Sequence, residues 1–466
     1  MFSLPEACQA LGARLHFPKP LLRAAGVSID TRVLKRGDLF VALRGAHQDG
    51  HRFLEDAFRK GAAGALIEKA HFDSKPSGFS PPEFKNLLVV ADTFRALGRL
   101  AAWYRGRFEL RSVAITGSVG KTSTKEFLHY LLGRKFSVLA NAGNFNNHLG
   151  LPLTLFGLRP EHDFCVAELG ANHCGEIREL AGLLKPSCAV ITQISSAHLE
   201  GFGSLEAVYA AKLELLESLA EGSVAILPDD DAVLCEKVRR YPLNLVWVGF
   251  SGKANYRISR VEVQGSTVRF DLNGCRFSFP GLAGFFAKNA ALALAAAAEL
   301  GIPLEEQPRE WKDVKLAPGR FEEKILGRNV RVIYDGYNAN PASFEKALEA
   351  FSALEVSGKK ILVFADMLEL GKEEEKYHEE LGRRIAHCPF DYVAAYGKRA
   401  QRSIEKLREE NPFMKADYFE RSEEVAATLG VRVEAGDALL LKASRGMKME
   451  DVLKSFQEKT SASFSV

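Results

Sequence analysis

The chain has 466 residues, too many for one ordinary hydrophobic core, and predicts two to four domains. Its 47% hydrophobic and 26% charged residues describe a globular protein, and a net charge of +3 is too small to draw nucleic acid through the overall field. No apolar run approaches the roughly 18 residues of a membrane span. Residues 1–11 lack a signal-peptide pattern, and seven scattered cysteines without a Cys-x-x-Cys pair read as reduced cytosolic thiols.

Residues 1–86 form a first block. Strands are predicted at Asp38–Leu43 and Ala65–Ile67 around a helix at Phe53–Lys60, and the Pro/Ser/Gly-rich stretch Ser74–Pro82 follows as a loop. The second block, 87–316, opens with the apolar runs Val113–Thr116, Phe164–Leu169 and Cys188–Ile194, separated by helical patterns, as in a doubly wound parallel sheet. Its period then switches to two. Val268, Phe270 and Leu272 lead through Asn273-Gly274 into Phe277 and Phe279, a hairpin inserted beside the main sheet. After Pro318-Gly319 the third block, 317–466, alternates strands at Val330–Tyr334, Lys360–Ala365, Tyr392–Tyr396 and Ala438–Leu441 with helices. The expected fold is α/β with three domains: a small N-terminal one, a central phosphate-loop sheet with a β insertion, and a Rossmann-like C-terminal one.

Ligands of such sheets collect at the carboxyl ends of strands. There, Gly117-Ser118-Val119-Gly120-Lys121-Thr122 follows a strand and opens a helix marked by Phe127, Leu128, Leu131 and Leu132. Backbone N–H groups of such a loop cradle phosphate, Lys121 would neutralise it, and the Thr122 hydroxyl would meet Mg²⁺. Ile115 stands where the full Walker spacing has its first glycine, so the loop is a shortened one or only a glycine-rich turn. Glu168 lies at the carboxyl end of Phe164–Leu169 and His198 just beyond Cys188–Ile194. They are either cation ligands or ordinary solvated residues. Lys212 falls on the apolar stripe Leu205, Val208, Leu215, Leu216 and Leu219 of a helix that starts after Ser204. It must snorkel, find a carboxylate, or lose its charge, and a neutral amine can take up CO₂ as a carbamate. Asp335 ends the first strand of the third block. Beyond it, Asn338 and Asn340 suit peptide groups, or Asn340 merely caps a helix with Pro341 in its first turn. His148, His173 and Cys174 read as structural.

These marks together resemble the Mur ligase family, the ATP-dependent amide ligases of peptidoglycan synthesis. The carrying motifs are Thr116-Gly117-Ser118-x-Gly120-Lys121-Thr122, Glu168-Leu169-Gly170, Ala211-Lys212-Leu213-Glu214, Pro318-Gly319-Arg320-Phe321, Asp335 to Ser343, Asp366 to Gly371 with His378, and Lys442 to Met447. The resemblance implies ATP and Mg²⁺, with Lys121, Lys212, His198 and Arg320 catalytic. It places Gly117 to Thr122, Asn144, Asn147, Asn289, Arg320 and Asp335 at the nucleotide, and Thr122, Glu168 and His198 at the metal. Thr31, Arg32, Asp49, Gly50 and His51 resemble the part that binds a UDP end, with Thr31 in place of the usual Ser. Phe285 and Phe286 stand where the family often has Gly-x-His-Asn before the asparagine.

Within the family, Asp335-Gly336-Tyr337-Asn338-Ala339-Asn340-Pro341 is similar to the member that joins D-alanyl-D-alanine to UDP-MurNAc-tripeptide, with Tyr337, Asn338 and Asn340 at substrate. A soluble cytoplasmic monomer acting on these small molecules is expected, with no nucleic acid or membrane insertion. The rivals are a sister ligase adding the third amino acid, a folate or cyanophycin type ligase, and a non-catalytic nucleotide-binding regulator.

Overall fold

A computed structural model describes residues 1–18, 23–74 and 85–462; all but the first residue of the predicted loop Ser74–Pro82 lies outside them. The chain forms two compact units. The first comprises Met1–Ala114, Phe136–Gly170 and Arg178–Ser187, the second Ile115–Lys135, Ala171–Ile177 and Cys188–Val466.

In the first unit five strands pair in the order Arg14–His16, Leu87–Val90, Gly64–Glu68, Leu39–Val41, Val27–Ser28. All neighbours are parallel except the first two. Phe40, Ala42, Leu54, Ala57, Ala65, Ile67 and Leu87 bury their side chains as its core. The predicted helix starts as a 3₁₀ turn, Gly50–Phe53, because the Asp49 carboxylate accepts the N–H of His51, and then continues as Leu54–Arg59. The same unit holds the parallel pair Val138–Ala140 and Phe164–Glu168. The latter strand is buried throughout, as its apolar run requires, and stops one residue before the predicted end.

In the second unit Cys188–Ile191, Val224–Pro228, Asn244–Gly249 and Tyr256–Gln264 pair in parallel, and Thr267–Leu272 and Cys275–Pro280 complete an antiparallel meander. The Thr116 carbonyl accepts the Thr192 N–H, so the strand entering the phosphate loop ends beside Cys188–Ile191. Asn273 and Gly274 both take positive φ, 48° and 81°, the two-residue hairpin turn expected of Asn-Gly. Phe279 of the hairpin packs on Trp311 and on Phe127, at centroid distances of 5.6 and 4.9 Å. Phe127 belongs to the helix Lys121–Leu132, so the insertion braces the phosphate-loop helix.

The C-terminal sheet has six strands in the order Glu322–Leu326, Val330–Asp335, Ala438–Lys442, Lys360–Ala365, Tyr392–Tyr396, Ala416–Phe419, all parallel except the first. Its register sets Asp335 opposite Lys442 at the carboxyl edge. The stripe read on the helix after Ser204 needs correcting. Ser204 does cap Leu205–Glu217, but Leu205 is 42% exposed, while residues from Ala211 to Leu216 are all buried. The helix is sunk on most sides rather than along one face.

Candidate active site

The phosphate loop is built by glycines that no other residue could replace without strain. Gly117 has φ +144° and Gly120 φ +95°. A Cβ at Gly117 would lie 2.1 Å from the Thr192 hydroxyl oxygen, and one at Gly120 would lie 2.5 Å from Asn289 Oδ1. The backbone N–H groups of Ser118 and Val119 donate to the Gln193 carbonyl at 2.7 and 3.3 Å, and Ser118 Oγ donates to the Ser195 carbonyl. These bonds moor the loop to the segment after Cys188–Ile191. Lys121 Nζ donates to the Gly117 carbonyl at 2.7 Å, which curls it over the loop. No side chain caps the helix that follows, so its dipole and first N–H groups serve the loop.

Val119, Gly120 and Ser123 share a pocket with Phe285, Phe286, Asn289, Arg320, Phe321, Asp335, Tyr337, Asn338, Ser343, Lys346 and Lys442. Five of the nucleotide residues expected from the resemblance therefore meet in one place: Val119, Gly120, Asn289, Arg320 and Asp335. Phe285 lies 4.5 Å from Phe286 with the rings tilted at 42° and meets Phe321 edge-on at 5.7 Å, so the departure from Gly-x-His-Asn supplies an aromatic wall. Arg320 lies over the Tyr337 ring at 4.2 Å, and its buried Nε has no hydrogen-bond partner among the described residues. Lys442 Nζ bonds Asp335 Oδ2 at 2.6 Å, and Asp335 Oδ1 accepts the Phe321 N–H. Asn338 Oδ1 accepts the N–H of Ala339. Asn340 caps Pro341–Ala353 through Ser343 in a reciprocal capping box, so its acceptor oxygen is committed to the helix.

Lys346, which sequence reasoning passed over, donates to the Gln193 side chain, and burial followed by the Lys288 charge pushes its amine down to about 8. Only its place in the second turn of a helix after a strand end could have pointed to it.

The expected cation ligands show buried oxygens awaiting partners. Thr122 Oγ1 and Glu168 Oε2 have no hydrogen-bond partner among the described residues. Glu168 Oε1 accepts from Asn146 Nδ2 at 2.6 Å, and Asn141 clamps the Glu168 backbone on both sides. Asn146 thus orients the carboxylate and Asn141 its backbone, while Asn147 Oδ1 accepts the N–H groups of Leu149 and Gly150 where the helix Gly150–Leu155 begins. Asn144 is exposed. Among the described residues no three His, Cys, Asp or Glu side chains form a metal cage. His198 Nδ1 bonds the Glu369 carboxylate, which this contact holds below the usual carboxylate range.

Lys212 is 2% exposed and pushed down to about 7, by burial first and by the Lys121 charge second. Its Nζ lies 5.3 Å from the Phe202 ring centre, and the nearby Glu176 and Glu214 charges only partly offset the lowering.

In the N-terminal sheet His51 is buried. Its Nε2 accepts the Glu68 N–H at 3.0 Å, so its Nδ1 carries the proton donated to Asp49. A Cβ on Gly50 would stand 2.7 Å from Leu43 N and O. Arg32 is exposed and clasps Asp30, whose carboxyl it lowers to about 2, and Thr31 is buried. His148 and His173 pair with Glu179 and Glu176, and Cys174 is an exposed free thiol.

A shortened phosphate loop and a second α/β sheet contributing half of the pocket define a nucleotide-dependent enzyme of several domains. The chain belongs to the Mur ligase family. Models of that family match residues 23–105 ("Mur ligase family, catalytic domain"), 115–297 ("Mur ligase middle domain") and 319–445 ("Mur ligase, glutamate ligase domain"). It is 35% identical to the UDP-N-acetylmuramoyl-tripeptide–D-alanyl-D-alanine ligase of Bacillus subtilis and 34% to that of Escherichia coli, each over 93% of both chains. Its fold matches crystal structures of MurF from Acinetobacter baumannii (TM-score 0.86, 29% identity, 98% and 99% of the two chains) and of MurF ligase from Thermotoga maritima in complex with ADP (0.79, 30%, 96% and 100%). The three-domain α/β architecture is that of these structures.

Proposed function

We propose that this chain joins D-alanyl-D-alanine to UDP-MurNAc-tripeptide at the expense of ATP, giving UDP-MurNAc-pentapeptide, ADP and phosphate. The observation that carries the reading is the near full-length similarity to ligases of that name, joined to a pocket in which Asp335, Tyr337 and Asn338 face the phosphate loop. Residues 1–86 then bind the UDP end, 87–316 bind ATP, and 317–466 bind the dipeptide. Among the described residues no helix is long and apolar enough to cross a membrane, and the seven cysteines are free, which suits a cytoplasmic enzyme.

A carboxylate does not accept an amine directly, because oxide is a poor leaving group. The tripeptide carboxylate instead takes the γ-phosphoryl group, releasing ADP. The dipeptide amine attacks the resulting acyl phosphate, loses a proton, and phosphate leaves. Lys121 and Arg320 offset the charge that builds on the phosphoryl and acyl oxygens. The aromatic wall of Phe285, Phe286 and Phe321 receives the adenine, with Asn289 beside it. Thr122, Glu168 and His198 would hold Mg²⁺, whose charge polarises phosphate oxygens, and the orphaned Thr122 and Glu168 oxygens fit that use. Lys212, lowered to about 7 by burial and so only partly protonated at neutral pH, adds through its uncharged form to CO₂ and releases a proton to become a carbamate.

Phosphate release with UDP-MurNAc-tripeptide and D-alanyl-D-alanine tests the assignment. Turnover is expected only with the dipeptide; turnover with a single amino acid in its place would sink it.

A further inference from the structure

The segment that follows Cys188–Ile191 is gripped by the C-terminal domain at four points. Lys346 bonds the Gln193 side chain, Tyr377 Oη donates to Ser196 Oγ at 3.0 Å, and the Glu200 N–H donates to the Glu369 carbonyl at 3.1 Å. The fourth contact joins His198 Nδ1 to the Glu369 carboxylate, 171 residues away in sequence.

The geometry at this last contact is unusual on both sides. His198 has φ 54° and Glu369 φ 64°, a left-handed conformation that non-glycine residues hold only when their surroundings impose it. Gly371, also at positive φ, lets the two loops approach: a Cβ there would be 3.3 Å from Glu200 N. Two strained loops therefore meet, and what they bring together is a carboxylate and an imidazole. The pair is a poor stabiliser, since its side chains are 25% and 49% exposed and exposed ion pairs contribute little. Its chemical effect is sharper. A carboxylate only accepts, so Nδ1 must carry the proton, and neutral imidazole then presents a bare Nε2. Histidines that bind metals are held this way by an outer carboxylate.

We propose that Glu369 is a positioning residue that fixes His198 in the tautomer with a free Nε2 lone pair, so that the cation site is complete only when the C-terminal domain is docked. The proposal rests on His198 being a cation ligand.

Mn²⁺ serves as the probe, titrated by electron paramagnetic resonance into the full chain with a non-hydrolysable ATP analogue. Glu369→Ala should weaken Mn²⁺ by about 10–100-fold, the usual cost of losing an outer-shell partner. The ¹⁵N shifts of His198, recorded without metal and about two pH units above the usual imidazole value of ~6.5, should move from an Nδ1–H towards an Nε2–H pattern. Glu369→Gln keeps a carbonyl that accepts the same proton and should retain most of the affinity and the tautomer. Unchanged Mn²⁺ affinity in Glu369→Ala, alongside weakened affinity in His198→Ala, overturns the positioning role alone. Equal losses in the Ala and Gln variants overturn it too, since the carboxylate's charge would then be what matters. Unchanged affinity in His198→Ala removes the ligand reading and this inference with it.

Discussion

Lys212 is buried with no carboxylate in hydrogen-bond contact among the described residues, and such burial costs the fold stability. Lys212 titrates near 7 in the folded chain, against ~10.4 for an unfolded lysine. Between those values the unfolded chain binds more protons, so stability rises with pH across that window and is lost again as pH falls towards 7. In CO₂-free buffer, Lys212→Met should therefore resist urea better than the parent near pH 7, with the advantage vanishing by about pH 10. The same variant should be inactive, and bicarbonate should not rescue it. Parental rates would remove the carbamate. Arg320 makes a complementary case. It lies over the Tyr337 ring with a buried Nε that has no hydrogen-bond partner among the described residues, and an ammonium does not reproduce that planar fork of donors. Arg320→Lys should lower kcat by about 10²–10³-fold, the range seen when one donor to a developing charge is lost. A change in KM for ATP alone would show that the guanidinium only binds ground-state nucleotide.

Elements explain why the site stays where it is. Phe279 of the inserted hairpin packs on Phe127 of the phosphate-loop helix, so Phe279→Ala should cost about 3–5 kcal/mol and should also raise KM for ATP. Chemical denaturation and steady-state kinetics on the same preparation would separate the two effects, and a normal KM would mean that the hairpin does not brace the loop. Fully buried parallel strands were readable from sequence: Lys360–Ala365 and Tyr392–Tyr396 have the expected bounds, because an apolar run bounded by polar residues leaves little freedom. Glu322–Leu326 and Tyr256–Gln264 were not. Both are mostly exposed or half-buried, and their polar residues hide the strand period. The site divides along the same line. The phosphate loop is local chemistry and was legible. Lys346 and Glu369 act through partners 153 and 171 residues distant, which no local pattern encodes. Asn340 combined both readings, since its cap was expected and turned out to occupy its oxygen.

At the scale of the molecule, the pocket draws its walls from the middle and C-terminal domains alike. ATP analogue should therefore slow amide exchange in 117–124 and also in 337–344, although the second segment carries no phosphate-binding motif. Protection confined to the first, measured by hydrogen-exchange mass spectrometry, would mean that the C-terminal wall takes no part in nucleotide binding. The family match covers all three blocks recognised in the sequence, and the substrate assignment depends on the third, where the Asp335 to Pro341 loop sits at a carboxyl edge beside Lys442.

The contact between Gly120 and Asn289 constrains how such chains can diverge. A methyl group at 120 would collide with the Asn289 amide, which suggests two positions that change together. The constraint runs in one direction only. Shrinking residue 289 opens the space but leaves Gly120 at φ +95°, where a side chain is strained regardless of room. Position 120 is thus frozen by its own backbone, whereas position 289 is free to become smaller on steric grounds. Across an alignment of relatives, an invariant 120 would follow from backbone geometry alone, whereas an asparagine retained at 289 would be one that sterics do not demand.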